Sequence, residues 1–326
     1  TAANPSYDEN RDRTTRLYDR FILERSYGVV SFEKEFSEEA QFDFKTFGGR
    51  YRRFSKRQRG GGFGTLPAGA NVGSNDIQEQ QFYNFGFEPR LRKNYELFGQ
   101  THTLSLGTFT YFSQSPREER RGASPWADDG QLRKESKRYM SYFSFFIENL
   151  FRWGRLSMTP GMRLEHIWQR VKEITNVDKT SAPLSDDSEF DFVPLFGLGV
   201  VFEIAKGIEA YTNISQSYRP KLFAEAVPLG TNEVINGDLK EGFAWQYDFG
   251  LRGSPVSFFH WDIDYFILNF KDQIGTVGNS VQNVGDALHQ GMELAAEVDA
   301  VSAYDYFRIT SYADKLGSLS PFVAFT

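Results

Sequence analysis

Every second residue from Phe243 to Leu251 is large and apolar: Phe243, Trp245, Tyr247, Phe249 and Leu251 share one parity, while Gln246, Asp248, Gly250 and Arg252 share the other. Successive side chains of an extended strand point to opposite faces, so this pattern predicts a strand with one greasy and one wet side. The next segment repeats it, with Phe259, Trp261, Ile263, Tyr265 and Ile267 opposed by His260, Asp262 and Asp264. Leu156, Met158, Met162, Leu164 and Trp168 oppose Arg155, Ser157, Thr159, Arg163 and Glu165 in a third, and Leu288, Met292, Leu294, Ala296 and Val298 oppose His289, Glu293 and Glu297 in a fourth. Carried along the chain, the alternation predicts about 11 or 12 strands, near 17–35, 40–53, 80–94, 101–112, 136–151, 155–170, 189–204, 207–217, 241–253, 257–271, 281–299 and 319–326. Strand 101–112 changes phase between Leu104, Leu106 and Phe109, Tyr111, which predicts a bulge at Gly107. The fold class is all-β.

The connections alternate in length. Short ones fall at Phe36–Glu39, Lys93–Gln100, Arg152–Gly154, Ala205–Gly207 and Gly253–Val256. Long polar ones fall between them, at Ser55–Glu79, Ser113–Glu135, Val171–Ser188, Tyr218–Glu241 and, shorter, Lys271–Ser280. Tight turns at one end of a meander and long loops at the other predict an antiparallel transmembrane β-barrel of the outer-membrane type. Asp299–Ser318 reads as an inserted excursion before a last strand.

Composition sharpens this picture. The chain has 5 Trp, 16 Tyr and 32 Phe beside 25% charged residues, so apolar bulk and polarity must alternate finely. No apolar run approaches the ~18–20 residues of a membrane-spanning helix, which excludes a helical bundle. Soluble sandwiches and propellers alternate too, but their core positions favour Val, Ile and Leu. Here Trp, Tyr and Phe recur toward both ends of successive strands, as interfacial girdles require. Energy fixes the phase: turning Arg163 toward lipid would cost up to ~2–4 kcal/mol, so the polar parity faces the lumen. Only a closed sheet leaves no unpaired edge in hydrocarbon. The chain starts in what reads as a polar loop, Thr1–Asn10, and stops at Phe325-Thr326 in mid-strand, so part of a larger barrel is expected. A balance of 37 Lys+Arg against 43 Asp+Glu, net −6, argues against a nucleic-acid partner. The absence of cysteine removes thiol catalysis, disulfides and Cys-ligated metals.

Asn213-Ile214-Ser215-Gln216-Ser217-Tyr218-Arg219-Pro220 resembles the strand-to-loop signature of TonB-dependent outer-membrane receptors. In that family's order follow Gly237-Asp238-Leu239-Lys240-Glu241, Tyr247-Asp248-Phe249-Gly250-Leu251-Arg252, Asp264-Tyr265-Phe266 with Asp272-Gln273-Ile274, and Asn283-Val284-Gly285-Asp286-Ala287 with Gly291-Met292-Glu293. Within the family, Tyr18-Asp19-Arg20-Phe21, Gly86-Phe87-Glu88-Pro89-Arg90 and Thr159-Pro160-Gly161-Met162-Arg163-Leu164-Glu165-His166 resemble the ferric dicitrate transporters. The resemblance covers nearly the whole chain, Asp299–Ser318 excepted. It implies a barrel of about 22 strands filled by a plug. Residues 1–326 would supply a middle portion of the barrel, without plug or final strands. It also implies a cell outer-membrane location, no enzymatic activity, and import of a ferric chelate. The expected partners are that chelate, TonB–ExbB–ExbD acting through the missing plug, and outer-membrane lipid and lipopolysaccharide. No cofactor is implied, iron arriving only inside the chelate.

Candidate ligand chemistry begins with Arg50, Arg52, Arg53, Lys56, Arg57 and Arg59 at the loop end of strand 40–53. A guanidinium fork can hold carboxylate oxygens bidentately, which suits a polycarboxylate chelate; the bland alternatives are solvated loop charges or contacts to lipid phosphates. By similarity Arg53 falls on a ligand-contacting arginine of the dicitrate receptors. Gln80 stands where those receptors carry another arginine, so one positive charge is lost. Either a nearby loop arginine compensates or the ligand is less anionic. In the run Arg133, Lys134, Lys137, Arg138, the similarity puts Lys134 or Arg133 opposite a third ligand arginine. Near Thr276 to Asn279 the family has a polar contact, for which Asn279 is the candidate.

Catalytic readings are weak. Asp262, Asp264 and His260 share a face, but a row of charges on a wet wall explains them. His102, His166, His260 and His289 lie in four separate strands, and Gly60–Gly62 lacks the strand-to-helix setting of a phosphate cradle. The expected function is TonB-coupled import of a ferric dicitrate-like chelate. The alternatives are the same machine for another siderophore or an oligosaccharide, and a soluble all-β glycan-binding module.

Overall fold

The computed structural model describes residues 16–59, 69–71, 73–180, 183–221, 234–235, 239–278 and 280–326. Its strands are β1 (Arg20–Ser37), β2 (Ala40–Gln58), β3 (Asn75–Leu97), β4 (Gln100–Gly122), β5 (Gln131–Trp153), β6 (Leu156–Asn176), β7 (Asp186–Ala205), β8 (Ile208–Arg219), β9 (Val234–Ile235), β10 (Gly242–Val256), β11 (Phe259–Val277), β12 (Ser280–Val298) and β13 (Phe322–Phe325). Two short helices, α1 (Ala300–Arg308) and α2 (Ala313–Leu316), separate the last two strands. All strands lie in one sheet. Each pairs antiparallel with its chain neighbour except β9, which stands off the path and pairs parallel with β12, so β8 adjoins β10.

Register fixes the faces, because residues directly opposite in neighbouring strands point the same way. Asp262 faces Arg252 on one side and Ala295 on the other, and Arg252 faces Glu209, all on the bore side. The outer side carries Phe85, Phe112, Phe143, Phe190, Phe192, Phe196, Phe249, Ile263 and Met292, each more than a third exposed. This is the predicted phase: aromatic and aliphatic groups stand where acyl chains would meet them, and charge lines the bore.

The twelve predicted strands are all present, but several run further at the loop end. The connections expected at 55–79, 113–135 and 171–188 shrink to 59–74, 123–130 and 177–185. The extensions escaped the pattern because outer-face positions there turn polar, as in Arg52, Glu79, Glu118 and Arg120. Charge alternating with charge carries no hydrophobic period, although the ladder continues and the outer ions pair, as in Arg52 Nε to Glu79 Oε1 at 2.7 Å. The loop expected at Lys271–Ser280 is a tight turn, with β11 reaching Val277 and Gly278 at φ 62°. The excursion at 299–318 is helical, α1 being capped by the Asp299 carboxylate, which accepts from the Val301 and Ser302 amides at 3.1 and 3.3 Å.

Gly107 makes no bulge. The β3–β4 pairing runs in one register through Phe87–Thr110 and Arg90–Gly107, and β4–β5 stays in register until a shift between Glu119 and Arg120. The parity changed because the bore has aromatics of its own. Phe47 stacks on Phe109 and Tyr111 at 6.0 and 6.5 Å, and Phe109 meets Tyr142 edge-on at 5.4 Å. Gly86 lies under this shelf: a Cβ there would sit 2.5 Å from the Phe47 ring, so only glycine lets the ring down onto the sheet.

Candidate ligand site at the loop end of the bore

Parity sorts the basic run of β2. Arg53 is on the bore face, directly opposite Gln80 of β3, while Arg50, Arg52 and Lys56 take the outer parity. The outward three are engaged. Arg50 donates to Gln81 at 3.1 Å, Arg52 pairs with Glu79 and Glu24, and the buried Lys56 ammonium holds Asp128 at 2.5 Å and the Trp126 carbonyl at 2.9 Å. Of the remaining two, Arg57 faces Asp76 in the ladder, and Arg59 lies 3.6 Å from the Asp76 carboxylate.

Gln80 is buried, donates to Ser115 Oγ at 2.9 Å, and faces Arg117 of β4. Ser115 in turn faces Arg138 of β5. Arg53, Gln80, Arg117 and Arg138 thus cross four adjacent strands on one face, around a glutamine that adds a neutral donor. Arg117 holds Glu119 at 2.6 Å. Among the described residues no carboxylate pairs with Arg53. Arg138 lies toward the loop end of β5. Burial first, then the Arg117 guanidinium, pull it down to about 10, with Glu119 opposing and Arg53 adding to the shift. Among the described residues, these three guanidiniums, of which Arg117 is paired with Glu119, create a field that favours an incoming anion.

The β-barrel model of TonB-dependent receptor-like proteins matches residues 1–324. The chain belongs to this family. This receptor barrel also shares its fold with solved structures. The unliganded ferric citrate transporter FecA superposes over 99% of the chain with a TM-score of 0.78 at 16% identity. The siderophore receptor PiuA from Acinetobacter baumannii covers 86% with a TM-score of 0.68 at 12% identity, and the copper transporter OprC 85% with 0.62 at 17%. The chain spans somewhat under half of each of those structures, 45%, 45% and 44%. The family is one of transport receptors of the Gram-negative outer membrane, not of enzymes, and membership sets aside the soluble glycan-binding module.

In the receptor barrel the predicted site residues part company. Arg53 and Gln80 come together. Arg133 and Lys134 go elsewhere: both hold Asp178 of the β6–β7 connection, at 2.6 and 3.3 Å. Burial pushes the Asp178 carboxyl up, but the Lys134 hydrogen bond and the Lys134 and Arg133 charges outweigh it and hold the group below its usual range. Asn279 lies outside the described residues. Arg117 was missed because it fell in an expected loop, although Arg117, Glu119 and Arg121 already show the period of a strand. It supplies the guanidinium beside Gln80 that the sequence pattern lacked.

Two of the histidines, His102 and His166, are packed among aromatic rings. His102 is fully buried among Tyr95, Phe151 and Trp153, and its Nδ1 accepts from the Arg152 amide at 3.1 Å. His166 lies among Phe143, Phe190 and Phe192 on the lipid side.

Proposed function

We propose that the chain forms a consecutive part of the wall of a larger, plug-filled barrel that imports an anionic metal chelate with TonB-coupled energy, the ligand being of the ferric dicitrate kind. Each outermost strand, β1 and β13, has one partner among the described residues, and a strand edge in hydrocarbon requires another. Additional strands would close the sheet and a plug would occupy the bore, linking it to TonB–ExbB–ExbD. Outer-membrane lipid would contact the aromatic outer face.

The observation that carries the ligand reading is Arg53, without a carboxylate partner among the described residues and facing the bore beside Gln80, with Arg117 and Arg138 on the next strands. Citrate carboxylates on iron fit guanidinium forks, and Gln80 adds a donor without charge. Arg117 sets a guanidinium beside Gln80 but shares its charge with Glu119, so among the described residues the excess positive charge of this face, which favours a polyanionic ligand over a neutral one, comes from Arg53 and Arg138 together with it. An oligosaccharide would be expected to use the aromatic shelf instead.

Ferric dicitrate binding to the full-length receptor in detergent, followed by calorimetry, tests this. Arg53→Ala should weaken binding about 10- to 100-fold, the cost of about 1.5–3 kcal/mol for a lost charged hydrogen bond. Unchanged affinity, or tighter binding of a neutral siderophore or a maltooligosaccharide, would overturn the dicitrate assignment.

A further inference from the structure

Where the chain leaves β8 and re-enters β10, a second charged cluster closes on the bore face of β6 and β7. The ligand atoms of Glu189, Asp191 and Glu241 all lie within 4.8 Å of one another. The Lys221 ammonium sits among them, bonded to Glu189, 3.1 Å from Glu241 and 3.4 Å from Asp191. Asp191 and Lys221 are each 8% exposed. Three carboxyl groups surround one ammonium, so acids outnumber the base in a place where water screens charge poorly.

A second observation comes from the neighbouring strand. Gln169 of β6 faces Glu189 directly across the ladder, on the same side of the sheet, and is 2% exposed. Its Nε2 donates to the Lys221 carbonyl at 3.0 Å, yet its buried Oε1 has no hydrogen-bond partner. A buried amide oxygen without a donor costs about 1–3 kcal/mol, and beside an acidic cluster a bound cation would remove that cost. Oxygen donors alone, three carboxylates and one amide, with no nitrogen or sulfur, are the set that hard divalent ions prefer, calcium above all because it tolerates irregular geometry.

We propose that Glu189, Asp191, Glu241 and Gln169 Oε1 form a binding site for a hard divalent cation of the calcium class, for which the Lys221 ammonium competes. The site is separate from the Arg53 cluster and does not depend on which chelate the receptor takes. It ties the paired strands β6 and β7 to the start of β10, which the ladder does not join to either of them.

The test uses the full-length receptor in detergent, stripped with chelator. It is titrated with Ca2+ by calorimetry and with Tb3+ by sensitised tryptophan emission, Trp168 being adjacent in sequence to Gln169. One ion per chain is expected. Asp191→Asn should weaken it at least 10-fold, and Lys221→Met, which removes the competitor, should tighten it at least 10-fold. Gln169→Glu should also tighten it while keeping the shape of the site. Retention of the heat-modifiable folded band on gels checks that each variant is assembled. No ion bound by either the native receptor or Lys221→Met would reduce the cluster to a lysine–carboxylate network. Binding indifferent to both Asp191→Asn and Gln169→Glu would place the ion elsewhere. Either result overturns the proposal.

Discussion

Two stretches of one bore face carry opposite charge. From β2 to β5 the loop end presents Arg53, Arg117 and Arg138, with Glu119 as the nearby acid. From β10 to β12 the face presents Asp248, Asp262, Asp264, Glu293 and Glu297, with Arg252 as the base within that row. The acids are partly tied: Tyr211 donates to Asp262 at 2.8 Å, Asn213 to Asp248 at 3.1 Å, and Arg252 holds Glu209 of β8 at 2.8 Å. The stretches also differ in height, Asp262 and Asp264 lying near the short turn that opens β11 and Arg53 near the loop end of β2. A charged wet face is therefore not in itself a ligand site. On the proposed reading, an anion is attracted at the mouth and repelled lower down, so passage needs work from outside the wall.

The sharpest way to break this comparison is to invert one side. Arg53→Glu with Arg138→Glu should abolish ferric dicitrate binding to the full-length receptor, a loss of about 1000-fold from two charged contacts. The pair Asp248→Asn and Asp262→Asn should change affinity by less than about 3-fold. Equal losses on the two sides would mean that the sign of the wall is irrelevant to the ligand.

Next in size is the outer face behind the acidic stretch. Ile263→Arg should lower the stability of the bilayer-inserted barrel by about 2–4 kcal/mol, read from urea titration in lipid vesicles, whereas Asp262→Arg on the bore side should cost much less. The reverse order would invert the assignment of faces.

A smaller effect sharpens the contrast within the basic residues. Arg133→Ala should change ligand affinity less than about 3-fold, because its charge is spent on Asp178, against the 10- to 100-fold expected at Arg53. The same Asp178 link has a sign in pH. Its carboxyl is held low in the folded protein, so the link is intact above the ordinary carboxylate range and is lost as pH falls through the lowered value. Amide exchange at Val177 and Asp178 should accelerate at that acidic end while the Arg53 cluster is unaltered. Acceleration on the alkaline side would contradict the assignment.

Period-2 alternation was enough to identify the strands, their faces and the membrane setting, because a lipid-facing residue and a water-facing residue differ by kilocalories and recur on adjacent positions. It failed where that difference vanished. Above the membrane both faces of β3 and β4 are polar, so Arg117 was hidden in an expected loop. On β4 both faces carry large apolar groups, Leu104, Leu106 and Phe112 outside and Phe109 and Tyr111 in the bore, so the change of parity imitated a bulge at Gly107. Arg53 and Gln80 were legible as candidates by resemblance, but Arg133 and Lys134 looked equivalent to them until Asp178 was seen to neutralise both.

The sequence by itself determined which side of each strand meets acyl chains and which meets water, since that depends only on parity and polarity. Tertiary structure alone decided which charges face each other across strands. Register converts positions 53, 80, 117 and 138 into one surface, and positions 169, 189, 191, 221 and 241 into another. Separations along the chain of tens of residues become a few ångströms only once the ladder is paired, and the Coulomb field that selects a ligand depends on those few ångströms.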